Sequence, residues 1–101
     1  MHQQTLNNLN LFKKLCEDNG LHIVKDDFIY HAWYGNYDWV MTYNKLTDDI
    51  ELSTQFLEGQ FLSFMVAEND YDFINKQIKS QIKKMKNYLF RQKLKEIEED
   101  F

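Results

Sequence analysis

The imidazole and thiol side chains of this chain are His2, His22, His31 and Cys16. None stands at a metal-ligand spacing, and no nucleophile elbow, phosphate-binding loop or dinucleotide fingerprint is present. Cys16 falls on the apolar stripe of the first expected helix, where a thiol acts as a small core group. His31 is expected on the sheet face opposite Tyr30. If the first strand pairs around residues 25–27, His22 falls on the Tyr30 face, so the two imidazoles do not converge. The sequence therefore predicts no catalytic residue, no metal and no cofactor, and a small enzyme is the weakest of the functional readings.

The carboxylates offer more, because charge is sorted along the chain. Residues 15–75 carry twelve carboxylates and two lysines, residues 76–95 carry seven lysines and Arg91 with no acid, and Glu96, Glu98, Glu99 and Asp100 follow. The formal net charge of −4 conceals this order. Such asymmetry bears on partners and association, not on fold. In an antiparallel meander the connections alternate ends, so Asp26, Asp27, Asp48 and Asp49 meet at one end of the sheet with Glu51 just inward. That acidic edge is the expected docking surface for a basic partner protein, and negative charge so displayed can occupy a nucleic-acid channel. The same aspartates also suit turns, where they bond their own backbone. They follow no EF-hand pattern.

Lysines 76, 79, 83 and 86 form one helical row, named here as Lys76, Lys79, Lys83 and Lys86. A row of lysines gives sequence-independent, salt-sensitive contact with phosphates, which makes nucleic-acid binding the alternative reading. Base reading favours arginine, and Arg91 is alone. The acidic body opposes a polyanion over roughly a Debye length of 8–10 Å, so nucleic acid is the weaker partner.

The elements that must position these groups follow from periodicity. Thr5 is a plausible N-cap, Leu9, Phe12 and Cys16 recur at helical spacing, and Asn19-Gly20 makes a stop, giving a first helix over residues 6–19. Strands are expected at 21–25, 28–34, 37–43 and 49–54. Gly35-Asn36 reads as a two-residue hairpin turn, pairing 34 with 37 and 32 with 39. One face then holds Phe28, Tyr30, Ala32, Tyr34, Tyr37, Trp39, Met41 and Tyr43, the core that the helices cover. The other holds Ile29, His31, Trp33, Asp38, Val40 and Thr42, so Trp33 is the expected exposed aromatic anchor beside the acids. Residues 60–66 are too continuously apolar for period alone to separate strand from helix.

A long last helix opens at Asn69 or Asp70. Its apolar stripe is Tyr71, Ile74, Ile78, Ile82, Met85 and Leu89. A second stripe, Phe90, Leu94, Ile97 and Phe101, is displaced by about 130° and continues the lysine row. Either the helix breaks near Leu89 and folds its tail onto the sheet, or the second stripe joins another copy as a homodimer.

At 101 residues, 44% of them hydrophobic, the chain makes one domain of class α+β: an antiparallel sheet of four or five strands flanked by an N-terminal helix and a long C-terminal helix. The polar start is no signal peptide and no run reaches the roughly 20 apolar residues of a membrane span. With one cysteine, the expected compartment is the reducing cytoplasm. Ala, Gly, Pro and Arg number six against forty-five Phe, Tyr, Met, Ile, Asn and Lys, a bias that points to an AT-rich genome, such as a low-GC bacterium or its phage. The leading expectation is a non-catalytic intracellular binding protein that docks on another protein, an accessory or inhibitor from a phage or mobile element directed at nucleic-acid machinery with a basic surface.

Overall fold

Apolar alternation at period two, interrupted by short polar turns, builds a meander. A computed structural model describes residues 7–99; His2, Thr5, Leu6, Asp100 and Phe101, which figure above, lie outside the described residues. The order is α1 (Asn8–Asp18), β1 (His22–Lys25), β2 (Ile29–Tyr34), β3 (Asp38–Asn44), β4 (Asp49–Leu57), β5 (Gln60–Val66) and α2 (Tyr71–Glu99). The five strands are antiparallel neighbours in sequence order, and residues 60–66 are a strand. The class is α+β, with a helix at each end of the sheet segment.

Both helices cover one face. Phe12 and Leu15 of α1 and Ile74, Ile78 and Met85 of α2 are buried with Ala32, Met41, Tyr43, Ile50 and Leu52 of the sheet. The first α2 stripe is thus the core stripe. Cys16 is buried among these groups, and desolvation pushes its thiol up to about 12. Local chemistry closes the helix ends. Asn7 accepts the Asn10 amide to start α1, and Asp70 accepts the amides of Asp72 and Phe73 to start α2. The helices are tied where α1 ends and α2 begins: Tyr71 Oη donates to Asp18 Oδ2 at 2.5 Å, and Asn19 Nδ2 donates to Asn75 Oδ1 at 2.8 Å. The Tyr71 hydroxyl, ahead of Lys14, holds the Asp18 carboxyl below its usual range.

Two expectations of register are corrected. The β2–β3 connection has three residues, Gly35 to Tyr37, so Tyr34 pairs with Asp38 and Trp33 with Trp39. Farther in, Ala32 pairs with Met41, which leaves Val40 as an extra residue on β3, a bulge. The bulge sends Val40 into the core and turns Trp39 to the outer face, whereas Asp38 lies on the helix side. The second correction concerns β1. His22 pairs with Trp33 and Val24 with His31, so both histidines share the outer face instead of lying on opposite faces.

Of the two alternatives the sequence leaves open for the last helix, the break near Leu89 does not occur. α2 runs unbroken from Tyr71 to Glu99, and Phe90, Leu94 and Ile97 stay exposed instead of folding back on the sheet. Twenty-nine residues at 1.5 Å each give a rod of about 43 Å. The molecule is correspondingly long, 66 × 28 × 21 Å.

Candidate functional site

The face of the sheet that neither α1 nor α2 covers carries the sequence-predicted anchor, Trp33, with Asp26 at its border and Glu51 and Asp49 in register rows farther along it. Across it runs one register row, Val24, His31, Thr42, Glu51 and Val66. The neighbouring row toward the β2–β3 loop holds His22, Trp33 and Trp39. The rings form a continuous edge-on cluster, with Trp33 to Trp39 centroids at 5.7 Å and His31 to Trp39 at 4.8 Å. Such pairs contribute about 0.5–1.5 kcal/mol beyond burial and hold each ring in one orientation. Both tryptophans remain half-buried with no helix above them. Val24, Lys25, Asp26, His31, Trp33 and Trp39 line a shallow hollow of about 330 Å³ there.

Asp38 fixes this arrangement from beneath. Its Oδ1 accepts the Trp39 amide and its Oδ2 accepts the Phe61 amide, each at 2.9 Å. One carboxylate therefore anchors the start of β3, just before the bulge, and ties it to β5. It acts as a positioning residue for the tryptophan cluster.

The acids divide. Asp26 borders the hollow, and its Oδ1 accepts the Asp27 amide at 2.9 Å, closing the β1–β2 turn. Asp49 starts β4 opposite Asn44, beside Ile29, and Glu51 sits in the row of His31. Asp27 is exposed in the same turn as Asp26. Asp48 is different. It has a backbone φ of 55°, and its Oδ1 accepts the Tyr43 hydroxyl at 2.6 Å on the helix side. That hydrogen bond first, and burial second, pushes the Tyr43 phenol up to about 12. Asp48 thus serves the core and stands apart from the other four.

Lys25 borders the hollow beside Asp26, while the ammonium groups of Lys25 and Lys45 are drawn toward a ring on the helix side. They lie 5.3 and 5.8 Å from the centre of the Tyr30 ring. Among the described residues the single ion pair is Lys14 with Asp18, so Asp26, Asp27, Asp49 and Glu51 have no cation within 4 Å. No group of three or more His, Cys, Asp or Glu side chains is arranged to hold a metal ion among the described residues.

Lys76, Lys79, Lys83 and Lys86 are all exposed along α2. Lys79, Lys83 and Lys86 border a groove of about 320 Å³ that they share with Asp18, Asn19 and Ile82. An acid thus stands in the lysine groove. Among the described residues no helix is long and apolar enough to cross a membrane.

Sequence reasoning missed Trp39 and the role of Asp38. The signal was the run Trp39-Val40-Met41, three apolar residues in a strand that otherwise alternates, where a bulge resolves the conflict of face. Comparison with family models, with curated proteins and with solved structures returned no match.

Proposed function

We propose that this chain is a non-catalytic binding protein that docks another protein on the uncovered sheet face. The observation that carries the reading is the pairing of a half-buried Trp33–Trp39–His31 cluster with four carboxylates, Asp26, Asp27, Asp49 and Glu51, that lack cationic partners among the described residues. Tryptophan anchors rimmed by charge are the usual anatomy of a protein interface. The fitting partner is basic with apolar side chains to seat in the hollow. A protein surface that otherwise contacts nucleic acid has that chemistry, and an accessory or inhibitor of nucleic-acid machinery is the role we assign.

The test compares the wild type with Asp26→Lys/Asp49→Lys and with Trp33→Ala, each immobilised against lysate of the native host. A protein retained by the wild type and lost from both variants supports the reading. Retention indifferent to all three changes moves the interface elsewhere. Retardation of random DNA or RNA at low salt, lost steeply with added salt and with Lys79→Glu/Lys83→Glu, replaces it with nucleic-acid binding through α2.

A further inference from the structure

Beyond Arg91, which borders a hollow with Phe56, Leu57 and Glu58, the end of α2 runs clear of its own domain among the described residues. Residues 90–97 are all exposed, including Phe90 at 64%, Leu94 at 44% and Ile97 at 48%. Tyr88 is the last ring packed on the sheet, against Phe56. A helical stretch this short is marginal in water on its own. Yet its apolar residues are in order. Phe90, Leu94, Ile97 and, in sequence, Phe101 are spaced four, three and four apart, the seam spacing of a coiled coil.

Charge along the same stretch selects the occupant and its direction. Arg91, Lys93 and Lys95 precede Glu96, Glu98, Glu99 and Asp100. A parallel pair of copies sets cation beside cation and acid beside acid. An antiparallel pair with its twofold axis between Lys95 and Glu96 sets the cationic half of each copy beside the acidic half of the other. The same register places Leu94 of one copy opposite Ile97 of the other, so seam and charge agree.

We infer that the protein self-associates through the end of α2 as an antiparallel two-helix pair, with a second copy of this chain as the partner. Within the described residues the contact spans 90–99 of each copy and is smaller than the roughly 1,200 Å² of a standard stable interface, so the equilibrium is weak and concentration-dependent. The domain bodies lie at opposite ends of the pair, and their uncovered sheet faces stay free. This inference is independent of the docking surface above.

Sedimentation velocity from about 10 µM to about 1 mM, a span set by weak affinities, reads it directly. The expected mass rises from one chain of 12.3 kDa toward two. A single-chain mass across the whole range overturns the inference. The Leu94→Glu/Ile97→Lys variant is expected to remain a monomer throughout, with the low-concentration melting temperature of the wild type. A large fall in that temperature means the tail serves its own fold and overturns it. For direction, Leu94→Cys is mixed with Ile97→Cys and oxidised; Cys16 is buried and stays inert. The mixed disulfide is expected to exceed both self-disulfides severalfold. Predominant self-disulfides overturn the antiparallel arrangement.

Discussion

Gly59 sits so close to Tyr88 that a Cβ on the glycine meets Tyr88 Cε2 at 2.8 Å. The β4–β5 turn and the outgoing α2 helix touch backbone against ring at this point, and the Gly59 φ of 85° is one that L side chains rarely adopt. Two independent costs therefore fall on Gly59→Ala. The expected loss is about 1–3 kcal/mol in urea denaturation. Adding Tyr88→Leu relieves the clash but not the backbone strain, so it restores only part.

Gln81 is buried in α2 at 2% exposure, and its Oε1 has no hydrogen-bond partner among the described residues. A buried unpaired amide oxygen costs about 1–3 kcal/mol. Gln81→Met keeps the length of the side chain and removes that oxygen. The midpoint of denaturation is expected to rise, by the equivalent of about 1–2 kcal/mol.

Asp38 makes the opposite case. Asp38→Ala leaves the amides of Trp39 and Phe61 without their acceptor, and about 1–3 kcal/mol of stability is expected to go with them. Tryptophan fluorescence should shift toward the red in the folded variant as Trp39 loses its fixed place against Trp33. An unchanged emission spectrum would show that the bulge holds without Asp38.

Tyr43 predicts an alkaline limb. Its phenol ionises near 10 when unfolded and near 12 when folded, so between those values the folded state holds the extra proton. The Tyr43 contribution is complete below pH 10 and is lost as pH rises toward 12. Denaturant midpoints measured at pH 9, 10 and 11 are expected to fall in that order. Tyr43→Phe, which has no proton to lose, should make the decline shallower, the remainder coming from the raised Cys16 thiol, while lowering stability at pH 8.

Charge reversal at Asp26 and Asp49 should leave the fold intact, because neither carboxylate has a cationic partner among the described residues. The Asp26→Lys/Asp49→Lys variant is expected to lose no more than about 1.5 kcal/mol, the loss coming from the Asp26 bond to the Asp27 amide in the β1–β2 turn. Against a basic partner, association should slow more than dissociation quickens.

Much of this architecture was legible because local signals agreed. The Ile74-Ile78-Ile82-Met85 stripe announced which side of α2 is buried, and the pair Asn69-Asp70 announced where that helix starts, with Asp70 the residue that caps it. The sheet end that gathers Asp26 and Asp49 followed from alternating connections alone. What escaped notice was set by single-residue slips. One extra loop residue and one bulged valine moved Trp39 and Asp38 to opposite faces, because side chains alternate at period two and a slip of one inverts them. Residues 60–66 hid their strand for a related reason: Ser63, at a φ of 56°, interrupts the alternation in the middle of β5.

The same serine bears on the rims of the sheet. β5 is one rim, and its ladder is disturbed at Ser63, whose carbonyl accepts the Thr54 hydroxyl. β1 is the other rim and is only four residues long. Bent or short rims are how open sheets resist edge-to-edge aggregation and the addition of foreign strands. This sheet has little straight backbone at its margins, so strand addition at either rim is disfavoured by the fold itself.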